Sequence, residues 1–269
     1  MIDLHVHSHI SDGKDTIEDI LKQASQLGIK VMSFVDHDTT ETYALALPTA
    51  KDYNITLIPG IEISAYDFKR NRKVHVLGYN YTTTEHIDAL TRPLLKRRHA
   101  HSMWQLEQIR QAGYSVNETL IQQRIEHYPL YKQHIMQALI NVPYTHHDYQ
   151  TLYMKLFKNN GVAAEDINYV DVYDAIRAIK QDNGKVVIAH PGQLNSYDLI
   201  NDLLSEDRSS IDGIETWHYD HNEKDIYRCH ELVKHFDLIE TGGSDYHGTF
   251  GASYPLGFCT TTLRNFEQI

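Results

Sequence analysis

The feature that most constrains this chain is a strand that ends beside metal-ligating residues, repeated along the sequence. It appears first in Asp3-Leu4-His5-Val6-His7-Ser8-His9-Ile10-Ser11-Asp12-Gly13. His5 and His7 are two residues apart in a predicted strand, so both imidazoles leave the same face and suit one metal ion. Alone, such a run is also readable as a polar strand end, because short motifs have false positives. The rest of the chain decides between the two.

The pattern recurs. The apolar run 31–35 delivers Asp36-His37-Asp38, the run 56–63 carries Glu62, and the run 74–79 carries His75. Later, the strand at 185–190 ends on His190, the strand at 211–216 leads to Glu215 and His218, and Leu238-Ile239-Glu240-Thr241 runs into Asp245 and His247. Between these strands lie helical periods. Ile17, Ile20, Leu21, Ala24 and Leu27 form one, with Asp15 and Glu18 as its expected capping pair and Gly28 as its end. A second helix is expected at 40–53, and others at 172–181, 197–204 and 223–235. Strand–helix alternation favours an α/β fold with a parallel sheet, and in such folds chemistry collects at the carboxyl ends of the strands. Between 92 and 171 the rhythm breaks into helical, polar sequence, with helices expected at 94–112, 118–127, 133–141 and 146–157. We read residues 1–91 and 172–269 as one α/β domain and 92–171 as a helical insertion covering the active site.

Imidazoles and carboxylates crowded at one rim repel each other unless cations sit among them, and Zn, Mn or Fe suit such ligands. The chain has 18 His but only Cys229 and Cys259, so its metal chemistry rests on nitrogen and oxygen rather than sulfur. Two separated cysteines and no visible secretory signal fit a cytoplasmic protein. No apolar run is long enough to span a membrane. The net charge of −11 argues against a grip on long DNA or RNA, while a small anionic substrate stays compatible with it once cations reverse the local sign.

Taken in order, the motifs His5-Val6-His7-Ser8 with Ser11-Asp12-Gly13, Val35-Asp36-His37-Asp38-Thr39, Gly60-Ile61-Glu62-Ile63-Ser64, Val74-His75-Val76-Leu77-Gly78, Ala189-His190-Pro191-Gly192 and Gly243-Ser244-Asp245-Tyr246-His247 resemble the PHP family. These are the polymerase and histidinol phosphatase type of metal-dependent phosphoesterases. The likeness is to stand-alone members such as nucleoside 3',5'-bisphosphate phosphatases. It implies a distorted (β/α)7 barrel with up to three divalent ions (Mn, Fe or Zn). His5, His7, Glu62 and Asp245 would hold one ion. Glu62, His75 and His134 would hold a second, and Asp12, His37 and His247 a third. His134 enters only because Gln133-His134-Ile135-Met136-Gln137-Ala138-Leu139 resembles the family's Arg-Pro-His-Ile-Ala segment.

The resemblance also has a gap. Relatives acting on nucleoside bisphosphates usually carry Arg just before that His, whereas this chain reads Tyr131-Lys132-Gln133. Lysine supplies a point charge but not the planar fork of arginine. The metal site reads as complete and the phosphate-recognition site as altered.

The implied reaction is hydrolysis of a small phosphoester by water that the ions activate. Candidate catalytic residues are Asp12, Asp245 and His190, the last as proton donor to the leaving oxygen. Lys132, His190 and His218 are candidate substrate contacts. Nucleotide-like phosphomonoesters or bisphosphates are the expected substrates. An exonuclease on short oligonucleotides and a noncatalytic metal-binding module are the alternatives. Hydrolysis of a C–N bond is disfavoured, because no lysine stands at a strand end like a carbamylated bridging ligand.

Overall fold

Short apolar runs set the first strands. In the computed structural model, which describes residues 1–140, 146–251 and 254–269, β1 (Ile2–Val6) is buried at every position. The helix α1 (Ile17–Gln26) buries Ile20, Leu21 and Ala24 and leaves Leu27 outside. Its cap is Thr16, whose hydroxyl accepts from the Asp19 N–H, one residue later than the expected Asp15–Glu18 pair. Asp15 is engaged elsewhere, accepting from the Tyr246 hydroxyl at 2.6 Å. After β2 (Val31–Phe34) and α2 (Glu41–Asp52), the expected strand 56–63 divides at Pro59 into β3 (Thr56–Leu57) and β4 (Gly60–Asp67). Proline has no N–H for the ladder, so the break falls there.

β5 (Arg72–Tyr79) departs from the expected parallel sheet. It pairs antiparallel with β4, from Gly60 opposite Tyr79 to Asp67 opposite Arg72. The connection between Asp67 and Arg72 is too short for a helical crossover, so the chain can only turn back as a hairpin. Next comes α3 (Glu85–Gln111), which starts well before the expected 94 and has Pro93 within it. Then follow α4 (Glu118–Ile125), α5 (Lys132–Ala138) and α6 (His146–Phe157). The expected end of the fifth helix at Asn141 lies outside the described residues.

The strand pattern returns with β6 (Val170–Asp171), α7 (Val172–Gln181), β7 (Lys185–Ile188), α8 (Pro191–Leu194), α9 (Tyr197–Glu206), β8 (Gly213–Trp217), α10 (Glu223–Phe236), β9 (Ile239–Gly242) and α11 (Leu263–Phe266). One sheet runs β1-β2-β3, all parallel, and the other β6-β4-β5-β7-β8-β9. Within the second, β7 pairs antiparallel with β5, while β7, β8 and β9 are mutually parallel. Single parallel bridges join Val6 to Tyr246 and His37 to Glu62.

The chain forms two compact units, 1–92 with 169–269, and 93–168. The first has apolar cores around Leu21, Met32 and Phe34 on one side of the short sheet and around Leu4, Leu77 and Val187 on the other. The second is a helical unit cored on Leu106, Ile109, Ile135 and Phe157. Among the described residues no helix is long and apolar enough to cross a membrane.

Candidate metal centre

The strand ends of the first unit bring His5, His7, Asp12, His37, Glu62, His75, Asp245 and His247 into three overlapping groups. They are His5–His7–Glu62–Asp245, His37–Glu62–His75 and His7–Asp12–His37–His247. His7, Glu62 and His37 each belong to two. His5, His7 and Glu62 are almost wholly buried, which is unusual for so many ionisable groups in contact.

Ligand atoms lying about 2.1 Å from one ion stand about 3.0–3.4 Å apart, the edge of an octahedron or tetrahedron. The first group has that spacing. His5 Nε2 is 3.2 Å from Asp245 Oδ1 and 3.4 Å from Glu62 Oε2, and His7 Nε2 is 3.3 Å and 3.1 Å from the same two oxygens. Yet these buried nitrogens make no directional hydrogen bond. Ring nitrogens that face carboxylate oxygens without bonding to them fit a cation between them. In the third group His247 Nε2 is 3.2 Å from Asp12 Oδ1, with His7 and His37 farther off at 3.8 Å and 3.9 Å from the Asp12 carboxylate.

The second group centres on Glu62. His37 Nδ1 lies 3.3 Å from Oε2 and His75 Nδ1 2.9 Å from Oε1. His190 Nε2 approaches Oε1 as well, at 3.1 Å. His190 therefore stands beside His75 at the same oxygen. Its backbone is at φ 23°, a left-handed conformation uncommon for a residue other than glycine. Asp38 and Asp245, at φ 61° and 47°, share that region. Unusual backbone at three strand ends of one site is the pattern expected where function fixes geometry.

Several rings are oriented from behind. The His5 Nδ1 meets Glu215 Oε1 at 2.8 Å, and the His247 Nδ1–H donates to the Asp245 carbonyl at 2.9 Å. Both leave Nε2 to face the site. Asp245 Oδ1 faces His5 and His7, while its Oδ2 is held by His218 Nε2 at 3.2 Å. Because the Asp220 N–H donates to His218 Nδ1, that ring carries its proton on Nε2 and donates it to Asp245. His218 thus orients Asp245, a member of the first candidate group.

Charge within the cluster is strongly biased. Burial disfavours the ionised form of Glu62, but His75, His37 and His5 outweigh it and hold the carboxyl well below its usual range. Burial likewise opposes ionisation of Asp12 and Asp245, and their histidine neighbours again prevail. His7 is pushed up to about 10, as Asp245, Glu62 and Asp12 overcome burial, whereas burial, aided by His7 and His75, takes His37 down to about 3. A cation bound here would take the place of protons on the raised imidazoles, since imidazole is a ligand only in its neutral form.

Three residues behind the site were weakly marked or unmarked in the sequence. Asp36, wholly buried, accepts from the backbone and hydroxyl of Ser8 (2.8 and 2.7 Å), from those of Ser11 (3.2 and 2.5 Å), and from the Thr42 hydroxyl (2.8 Å). It fixes the loop that carries Asp12. Asp3 accepts from the Ser244 N–H and hydroxyl and from the Gly257 N–H, tying β1 to the loop of Asp245. In the same loop Gly243 passes so close to β1 that a Cβ there would lie 2.3 Å from that of His5. Glu215 is the third. The only signal for Asp3 was its place two residues before His5, since the partners it ties across the fold, Ser244 and Gly257, are 241 and 254 residues away.

His134 and Lys132 belong to the helical unit. His134 is buried in α5, and its Nδ1 accepts the Tyr131 N–H at 3.1 Å. Lys132 lies 3.9 Å from Asp166.

The comparisons with known proteins bear on this geometry. The PHP domain family matches residues 3–168. The chain is a PHP-family protein. A phosphoribosyl 1,2-cyclic phosphate 1,2-diphosphodiesterase from Eggerthella lenta is 46% identical over 258 residues, covering 95% of this chain and 97% of that one. A 5'-3' exoribonuclease from Haemophilus influenzae is 27% identical, with 91% and 89% covered. A 3',5'-nucleoside bisphosphate phosphatase from Chromobacterium violaceum is also 27% identical, with 91% and 87% covered. Among solved structures, a Bifidobacterium adolescentis protein assigned as a metal-dependent phosphoesterase superposes with a TM-score of 0.88 at 25% identity, covering 100% of this chain and 94% of that one. This PHP-family chain is a phosphoester hydrolase with an α/β fold, and its clustered His, Asp and Glu residues are able to hold metal.

Proposed function

We propose that this PHP-family protein opens a cyclic phosphodiester on a phosphorylated ribose, using up to three divalent ions (Mn, Fe or Zn). The observation that carries the substrate class is the 46% identity, over nearly the full length of both chains, to a phosphoribosyl 1,2-cyclic phosphate 1,2-diphosphodiesterase, against 27% to the bisphosphate phosphatase. The Tyr131-Lys132-Gln133 segment, which lacks the arginine usual in bisphosphate-specific relatives, agrees with that preference.

The fold we propose is the distorted (β/α)7 barrel, closed from β1 through β2, β4, β5, β7, β8 and β9. The bridges Val6–Tyr246 and His37–Glu62, at the two joins between the sheets, support it. For the ions we propose the sets His5–His7–Glu62–Asp245, Asp12–His37–His247, and Glu62–His75 completed by His190. The 3.1 Å approach of His190 Nε2 to Glu62 supports this last role over that of a proton donor. For His134, which the family resemblance puts on that ion, the Tyr131 N–H already occupies Nδ1. The neutral ring then carries its proton on Nε2, as a donor rather than a ligand.

Bound divalent ions supply a water acidified toward neutrality and neutralise charge on the phosphoryl oxygens. The protein's own part is to hold eight or more ligand groups rigidly in a buried setting, so that little reorganisation accompanies the reaction. Water adds to phosphorus, one P–O bond of the ring breaks, and the freed ribose oxygen takes a proton, leaving a phosphomonoester.

The test is a panel followed by ³¹P NMR with Mn-loaded protein: phosphoribosyl 1,2-cyclic phosphate, a nucleoside 3',5'-bisphosphate and a short oligoribonucleotide. The cyclic phosphate should be consumed fastest, and Asp245→Ala should abolish turnover of every substrate. Preference for the bisphosphate or the oligonucleotide would refute the cyclic-phosphate reading.

A further inference from the structure

Glu215, near the end of β8, is a fully buried carboxylate with no assigned part in the reaction. Its two oxygens serve two different residues. Oε1 lies 2.8 Å from His5 Nδ1, and Oε2 accepts the backbone N–H of His190 at 2.9 Å. Those residues face different oxygens of the cluster, as His5 Nε2 faces Asp245 Oδ1 and Glu62 Oε2 while His190 Nε2 faces Glu62 Oε1. The other buried carboxylates behind the site act differently. Asp36 accepts from the backbone and hydroxyls of Ser8 and Ser11 and from the Thr42 hydroxyl, and Asp3 accepts from backbone N–H groups and the Ser244 hydroxyl.

We infer that Glu215 is the positioning residue that couples two ion positions, fixing the His5 ring through one oxygen and the left-handed His190 backbone through the other. This inference rests on the proposed ion sites. A neutral imidazole that donates its Nδ1–H to a carboxylate presents the Nε2 lone pair. The second oxygen does for the chain what the first does for the ring. His190 holds φ 23° and precedes Pro191, and its N–H bond to Glu215 fixes the direction in which the side chain leaves β7.

Glu215→Gln discriminates because it keeps size while removing one of two acceptors. Whichever way the amide turns, either the His190 N–H or the His5 Nδ1–H faces an NH₂ group. In the latter case His5 can satisfy it only by moving its proton to Nε2, which removes the ligand lone pair.

The experiment compares wild type and Glu215→Gln by Mn²⁺ titration and by hydrogen exchange of the His190 amide in the metal-free proteins. Folding is checked by circular dichroism. The expected result is a folded variant in which Mn²⁺ binding is weakened tenfold or more, a loss within the roughly 10–100-fold range for removed outer partners, or exchange at His190 is faster, according to which partner faces the NH₂ group. Wild-type affinity together with wild-type exchange in Glu215→Gln would overturn the inference. Wild type that binds no Mn²⁺ would overturn the ion reading itself, a separate result seen before any variant is made. If Glu215→Gln does not fold, Glu215→Asp, which keeps the charge but cannot span both partners, is measured in the same way with the same expected losses.

Discussion

Asp36 shows how much of this site depends on residues that stand outside the candidate ligand groups. Its carboxylate gathers five donors from Ser8, Ser11 and Thr42, all in a buried setting. Hydrogen bonds to an ionised group contribute more than neutral ones, and a buried donor left unmatched costs its desolvation. Asp36→Asn should therefore lower unfolding stability in urea by roughly 1–3 kcal/mol. A loss below about 0.5 kcal/mol, as for an ordinary surface change, would contradict this role. At this scale the inward-facing residues were legible because few side chains bind metal: His5, His7, Asp12, His37, Glu62, His75, Asp245 and His247 all stood out in strands or the loops that follow them. Their supports were much less so. An aspartate that accepts from serines 28 and 25 residues away looks, in sequence, like any polar residue after a strand.

At the scale of elements, α3 carries a cap supplied from another part of the chain. Asp182, buried just after α7, accepts the N–H groups of His86 and Ile87 in the first turn of α3, together with the Thr83 hydroxyl. Burial raises its pKa, but the Ile87 N–H and the bonds from His86 and Thr83 prevail and hold it below the usual value of 3.8. A carboxyl whose folded pKa is lowered adds stability that is complete above its unfolded pKa and is lost as pH falls through the folded one. Asp182→Ala should thus cost about 1–2 kcal/mol at neutral pH, as for a lost helix cap. The difference between wild type and variant should shrink on acidification below 3.8. A difference that stays constant through that range, in denaturant titrations at stepped pH, would rule out the ionised cap.

The same contact explains why α3 is longer than its sequence suggests. Helical periodicity shows a helix from 94 onward, while its true start depends on a carboxylate far along the chain. The reversal of β5 has a similar origin. A hairpin and a crossover differ in the length of one connection, and alternating strands and helices give no sign of it. By contrast α7 was fully legible, because its apolar period and its Asp171 cap are both local.

For the whole molecule, residues from Asp3 to His247 converge on one site, so the ligand set exists only when the first and last strands meet. Val6 and Tyr246 pair where they do. The ordered motifs carry the family, and with it the chemistry, in the sequence alone. Substrate class was not legible in the same way, because it depends on how a few groups outside the metal set meet a particular sugar or base.

This buried cluster is proposed to be an ion site at which phosphoesters are hydrolysed. The direct measurement is to strip the protein with a chelator, restore Mn²⁺ stepwise, and record bound metal by mass spectrometry alongside turnover of phosphoribosyl 1,2-cyclic phosphate by ³¹P NMR. The stripped protein should be inactive, with turnover rising as ions are bound and lost again on chelation. Undiminished turnover by metal-free protein, or none from fully metallated protein on this or any other phosphoester, would contradict it.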